Sequence, residues 1–202
     1  MKNGAVLDPL PPSDRLLARR APIWWGNRLV ILIEAAGLAI LVVTYFYIRG
    51  VDENWPPTGI PLPDLGISTI NVVLLVVSIL PMWHAARLAF RQDRARVLGF
   101  WLLLCACFGI VTAVCRVLEF KAVHTLWDSN AYGTIVWSIL AVHFAHIVAG
   151  TLESLAIGIL MFADPLAERR FADITANANY WYFVALSWVG LYAIVFLAPR
   201  LL

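Results

Sequence analysis

Five long apolar runs, separated by short stretches where charges, prolines and glycines gather, divide the chain from residue 29 to residue 198. They cover Leu29 to Ile48, Ile67 to Phe90, Val97 to Phe120, Tyr132 to Phe162 and Ala178 to Ala198. A helix rises ~1.5 Å per residue, so runs of roughly 20 residues cross the ~30 Å of hydrocarbon in a bilayer. Backbone polar groups in lipid must be satisfied within the chain, so the pattern predicts an all-α bundle of five transmembrane helices. The longest run is the fourth, counted from Trp127 where its approach begins, and its centre holds His143, His146 and Gly150, with Glu153 beyond. At about 3.6 residues per turn these four positions fall on one stripe, while Ile139, Leu140, Val142 and Leu152 spread around the rest. Ionisable groups at that depth are costly and survive by facing the bundle interior, which makes the stripe the first place to look for function.

The other runs carry few polar residues. Glu34 is the single acid of the first run. A carboxyl there is protonated, hydrogen-bonded to another helix, turned toward another subunit, or simply a neutral packing group with its bonds satisfied. The second run has Asn71 near its start and Pro81 and His84 toward its end, and Pro81 predicts a kink. Arg116 and Glu119 close the third run; three residues apart, they are neighbours on a helix surface and predict a structural ion pair at the membrane interface. Tyr45, Phe46 and Tyr47 end the first run as an aromatic belt, and Tyr180, Trp181, Tyr182 and Trp188 crowd the first half of the fifth. Residues 50–65 hold Pro56, Pro57, Pro61 and Pro63 and predict an extended loop, and Asp164, Pro165, Glu168, Arg169, Arg170 and Asp173 predict a polar one.

No stretch repeats at a fixed period and no linker is long enough to divide domains. The organisation expected is an N-terminal arm, residues 1–28, and one transmembrane domain, residues 29–202. The arm is polar, holds Pro9, Pro11, Pro12 and Pro22, and has Trp24 and Trp25 placed to anchor at the interface. No apolar core follows a short basic start, so a cleavable signal peptide is not expected.

Composition agrees. Hydrophobic residues make up 61% of the chain, charged residues 14%, and the mean hydropathy is +0.79, the balance of an integral membrane protein. The formal charge of +2 comes without a basic cluster interleaved with aromatics, which argues against a nucleic-acid partner. Cys105, Cys107 and Cys115 sit in one apolar run, where thiols behave as small hydrophobes rather than as a disulfide framework.

The cations decide orientation. With the N-terminus inside, that side collects Lys2, Arg15, Arg19, Arg20, Arg28, Arg87, Arg91, Arg94, Arg96, Arg169 and Arg170, against Arg49, Arg116, Lys121 and Arg200 opposite, eleven of the 15 basic residues. The C-terminus is then outside. Glu34, His84 and Glu153 fall in the inner half of the membrane and His143 and His146 nearer its middle, so a polar, proton-bearing network of these five is expected between helices one, two and four. Arg116, Glu119 and His124 lie toward the outside. At the inner rim Arg87, Arg91 and Arg94, with Trp83 beside them, sit where phospholipid phosphates lie. His143 and His146 share one helix and only His84 offers a partner elsewhere, so neither haem nor a metal ion finds a full ligand set; a hydrogen-bonded histidine pair fits better.

The order of motifs resembles subunit III of the haem-copper oxidases, the cytochrome c oxidase subunit 3 family, in its five-helix bacterial form. Glu34 and the stretch from Tyr45 to Arg49 resemble the family's first-helix glutamate and aromatic, arginine-terminated end. Trp55, Pro56, Pro57 and Gly59 resemble its Trp-Pro-Pro loop, and Asn71, Leu74, Leu75 and Ser78 its Asn-Thr-x-x-Leu-Leu-x-Ser helix. Glu119 and Phe120 are similar to its Glu-Tyr, Tyr132 and Gly133 to its Tyr-Gly, and His143, His146 and Gly150 to its His-x-x-His-x-x-x-Gly. Tyr180 and Trp181 begin what resembles its Tyr-Trp-His-Phe-Val-Asp helix, although Tyr182 and Ala185 stand at the histidine and aspartate, and Arg116 where a glutamine is usual. The resemblance implies an accessory subunit with no catalytic residues, metal or cofactor of its own. It implies haem and copper in a partner catalytic subunit, subunit I, and bound phospholipid. It also implies support of proton uptake and durability, in the bacterial inner membrane. Alternatives are a subunit III-like accessory protein of nitric oxide reductase and an independent proton-coupled transporter.

Overall fold

The computed structural model describes residues 22–51, 54–91, 95–163 and 169–201. Five helices long and apolar enough to cross a membrane make up almost all of it, with no strand among the described residues. They are α1 (Pro22–Val51), α2 (Leu65–Arg91), α3 (Ala95–Ala122), α4 (Ala131–Ala163) and α5 (Arg169–Tyr192). A π-helical turn, Ala193–Leu197, and a last α-helical turn, α6 (Ala198–Leu201), continue α5 without a break. Each helix runs past its apolar run, because a helix end in the headgroup region can carry polar residues at no desolvation cost. Thus α1 starts at Pro22, a residue suited to a first helical turn, so residues 22–28 of the expected arm are helical. Residues 1–21 and Arg94 lie outside the described residues.

One sequence expectation changes. Arg169, Arg170 and Asp173 belong to α5 rather than to a loop. Residues 175–178 alternate polar and small side chains that sustain a helix while α4 faces them: the Ser154 hydroxyl and the Asn177 amide exchange hydrogen bonds, Asn177 Nδ2 donating to Ser154 Oγ at 3.0 Å. Pro81 lies inside α2, which stays helical from end to end.

Helix α4 is the axis of the bundle, packed against α3, α5 and α1, while α2 packs on α3 and α5. Half of the membrane window of α4 is buried against 11% of that of α1, so α1 is the peripheral helix and presents Leu29, Leu32, Ile33, Ile40 and Val43 outward. Small residues let the helices approach, in place of a hydrophobic drive that lipid does not supply. A Cβ on Gly109 of α3 would lie 2.1 Å from Thr151 Oγ1 of α4, and one on Gly150 of α4 would lie 2.9 Å from the Trp181 ring of α5. The Trp181 indole N–H, fully buried, donates to Ser78 Oγ at 2.9 Å and ties α5 to α2.

The loop after α1 tucks inward. Trp55 lies edge-on to both Tyr45 and Tyr132, at 5.1 Å and 4.9 Å between ring centres, and its indole N–H donates to Tyr45 Oη at 2.8 Å. On the same side of the membrane Asn130 Oδ1 caps α4 by accepting from the Gly133 N–H at 2.7 Å. Arg200 reaches the carbonyls of Phe196 and Pro63 from the other end of the chain.

Candidate functional site

The polar residues of the spans sort into three places rather than one. At the core of the first is Arg116, which α3 carries at full burial. Its guanidinium lies 2.5 Å from Glu119 Oε2, equally buried, one helical step further along α3. The same guanidinium sits 3.3 Å from the centre of the Trp188 ring of α5, and its Nη2 is 3.1 Å from His143 Nδ1 of α4. The ion pair is therefore buried between helices rather than exposed on the surface of α3. Asn71 and Ser68 of α2 face the Glu119 carboxylate, so all of α2 to α5 contribute.

This arrangement assigns the His143 tautomer. Nε2 lies 2.9 Å from the Val184 carbonyl oxygen, which only accepts, so Nε2 carries the proton. Nδ1 is then the acceptor, and arginine, which has donors only, supplies the N–H. Both ring nitrogens are engaged. A further proton on Nδ1 would meet the guanidinium N–H head-on, so the neutral imidazole acts here as a fixed link between α3 and the backbone of α5.

The second place lies one turn further along α4. His146 Nε2 is 3.7 Å from Glu34 Oε2 of α1, inside ion-pair range and just beyond a direct hydrogen bond, and Nδ1 of the same ring is buried without a hydrogen bond. Tyr180 of α5 lies near the Glu34 and Glu153 carboxylates. Glu153 and Asp173 line a cleft of ≈ 430 Å³ with Asn27, between the start of α1, the end of α4 and the start of α5. The ring centres of His143 and His146 are 6.3 Å apart at a steep angle, so the two histidines share a stripe but belong to different networks.

His84 belongs to neither. Its ring stacks on Trp101 of α3 at 4.7 Å and its Nδ1 lies 3.0 Å from the Leu80 carbonyl. The imidazole lines a groove of ≈ 250 Å³ with Trp83, Arg87, Leu88, Val97 and Trp101. Arg87 stands over the Trp83 ring at 4.4 Å. The expected convergence of His84 with Glu34 and the α4 histidines is thus absent: α2 packs on α3 and α5 on the far side of the bundle from α1, which leaves no path between them. The side chain of Arg91, like Arg94, lies outside the described residues.

Sequence reasoning placed Trp188 and Tyr180 in the first half of the fifth run without assigning either to a polar network. The signal was depth: Trp188 lies two turns beyond Trp181, too deep for an interfacial anchor. Among the described residues no three His, Cys, Asp or Glu side chains gather in a way that suits a metal ion.

The comparisons with known proteins point one way. The family model described as Cytochrome c oxidase subunit III matches residues 19–198. The cytochrome c oxidase subunit 3 of Thermostichus vulcanus is 25% identical over 178 residues, covering 87% of each chain. That of Synechocystis sp. is 25% identical over 175 residues, covering 86% of this chain and 74% of the relative. Wheat (Triticum aestivum) subunit 3 is 28% identical over 146 residues, 70% of this chain and 54% of its own length.

Proposed function

This chain belongs to the cytochrome c oxidase subunit III family, and from that membership we propose that it is the non-redox accessory subunit of a bacterial haem-copper oxidase. It binds the catalytic subunit, subunit I, which carries the haem and copper, and it lies in the inner membrane with its N-terminus inside. The family match along nearly the whole chain carries the reading. Two features support it. Arg116 pairs with Glu119 and meets His143, and His146 lies in ion-pair range of Glu34, as in a helix bundle whose polar residues serve structure and proton exchange. Helix α1 leaves most of its apolar surface uncovered, which suits a chain seated against another membrane subunit or lipid.

Its contributions are proton supply and lipid binding. Glu34 and His146, within ion-pair range of each other, form a site that holds and releases protons, with Glu153 at the cleft that opens toward the inside. Arg87 and His84 flank an apolar groove whose Trp83 and Trp101 walls suit an acyl chain, and the Arg87 guanidinium at its edge suits a phospholipid phosphate. Arg116 in place of a glutamine, and Ala185 and Tyr182 in the last helix, favour a second reading, an accessory protein of nitric oxide reductase. Isolation through a tag on this chain tests both. A haem-bearing partner that reduces oxygen supports the first, one that reduces only nitric oxide the second, and a haem-free preparation that carries protons across vesicles establishes a transporter and sinks both.

A further inference from the structure

At the end of the bundle where α1 finishes and α4 begins, the connection from α1 to α2 is fastened in two places. At the first, Trp55 sits edge-on to Tyr45 of α1 and Tyr132 of α4, both fully buried, and donates its indole N–H to Tyr45 Oη at 2.8 Å. At the second, the Asp64 N–H donates at 2.9 Å to the carbonyl of Ala122, the last residue of α3. Two residues on, His124 turns back with a φ of 58°, a left-handed conformation that histidine enters more readily than most side chains. Its N–H donates to the Lys121 carbonyl at 3.2 Å. With both backbones fixed in this way, His124 Nε2 stands 3.1 Å from Asp64 Oδ2. The His124 side chain is 35% exposed and that of Asp64 65%, so water delivers protons to the pair directly. Among the described residues no other carboxylate is in ion-pair range of His124. The remaining charges at this end are Arg49 of α1, Lys121 of α3, Asp128 of the loop before α4 and Arg200 of α6, which holds the carbonyl of Pro63 next to Asp64.

We propose that His124 and Asp64 form a proton-operated latch that tightens in acid and holds the loop from Trp55 to Asp64, and through Trp55 the Tyr45 end of α1, against α3 and α4. A carboxylate only accepts, so neutral His124 keeps its proton on Nε2, facing Asp64. An incoming proton from water forms an N–H bond at Nδ1, and the hydrogen bond becomes an ion pair without a change of partner. Histidine is the side chain suited to this, because its charge changes between about pH 5 and 8. The loop is therefore held more firmly at the acid end of that range and less firmly at the alkaline end. The difference is that of one exposed ion pair, about two- to fivefold in the opening equilibrium. The latch acts where helix packing is thinnest: 11% of the membrane window of α1 is buried, and its two buried residues are Leu38 and Tyr45. A loop that releases Trp55 uncovers Tyr45 and frees that end of α1 first. That the latch meets water on the outside rests on the orientation proposed above; its geometry does not.

The test follows hydrogen exchange of the Ile60 and Asp64 amides and of the Trp55 indole in the full chain in detergent micelles, at about pH 5.5 and about pH 8. Each rate is compared with that of Asp64→Asn at the same pH. This variant keeps an oxygen for the Nε2 proton and carries no charge, and the comparison cancels the intrinsic pH dependence of exchange. The parent is expected to exchange about two- to fivefold more slowly than the variant at the lower pH and nearly alike at the higher. Salt at about 1 M is expected to abolish the difference. A ratio of parent to variant that is the same at both pH values would overturn the latch. A difference at Asp64 with none at Trp55 would overturn its reach to α1. In sealed vesicles of neutral phospholipid with the N-terminus inside, acid outside is expected to slow exchange in the same way. A response only to acid inside would overturn the orientation, and the ratios measured in micelles, which have no sides, would stand.

Discussion

Removing Arg116 alone should cost far more than removing Arg116 and Glu119 together. The guanidinium is fully buried and has three kinds of partner: the Glu119 carboxylate at 2.5 Å, His143 Nδ1 at 3.1 Å and the face of Trp188 at 3.3 Å. Arg116→Met keeps most of the volume and leaves Glu119 as a buried carboxylate with only the neutral donors of Asn71 and Ser68 near it. Breaking one side of a buried pair costs about 3–5 kcal/mol. His143 also loses its donor, which adds on the order of 1 kcal/mol. A loss of about 4–6 kcal/mol is expected for the single substitution. In Arg116→Met with Glu119→Leu no charge is stranded, and desolvation of both ions, which offset their attraction, no longer has to be met; the double variant should fall within about 2 kcal/mol of the parent. Arg116→Lys should lie between, because an ammonium on a flexible stem reaches Glu119 or His143 but does not fork to both. The assay is unfolding of the purified chain from mixed micelles into sodium dodecyl sulfate, followed by tryptophan fluorescence. A single-substitution loss under about 1 kcal/mol would refute the reasoning, since a buried pair whose partner can be deleted so cheaply must be reached by water. A double variant as damaged as the single would also refute it, by showing that the shape of the pair matters and not its charge.

Other positions give sharper local tests in the same assay. Gly109→Ala drives a Cβ against Thr151 and should destabilise by about 1–3 kcal/mol, and Thr151→Ala should recover part of that loss, because the closest atom, Oγ1, is gone. Asn130→Ala removes the cap of α4 and should cost about 1 kcal/mol, with little change in Asn130→Asp. Deleting this chain from its complex should leave the haem spectrum and initial electron transfer intact while shortening the active lifetime; loss of all activity in a partner that is still fully assembled would show chemistry here that the accessory reading lacks.

The spans were legible because lipid imposes one rule on every residue of a segment, so a run of apolar residues needs no tertiary information to be recognised. Helix ends were less so: the polar start of α5 reads as a loop until Asn177 is seen bonded to Ser154 on α4. Depth arithmetic set Glu34 in the inner half and His146 nearer the middle, close enough to pair, and they lie 3.7 Å apart. The same arithmetic grouped His84 with them and failed, because depth carries no information about which side of the bundle a helix occupies. Nor did the stripe of His143, His146, Gly150 and Glu153 reveal that its members face different neighbours. A stripe fixes direction to within a third of a turn, and in a crowded bundle that interval spans two helices.

Arg116 explains how the bundle holds together with so little ionisable chemistry in the middle of α5. Members that this chain resembles carry a histidine and an aspartate there, and this chain has Tyr182 and the fully buried Ala185. A bundle that loses a charged side chain from one helix must connect its remaining polar groups to something else, or leave them bare in hydrocarbon. Here the connection passes through groups that no substitution on α5 removes easily: the backbone carbonyl of Val184, which accepts from His143, and the π face of Trp188, which covers the guanidinium. Arginine suits this role where glutamine does not, because one planar cation meets a carboxylate, an imidazole and an indole at once. The three helices are then tied through one guanidinium and the groups that meet it on α3, α4 and α5. The same contacts leave His143 without a free ring nitrogen for an extra proton.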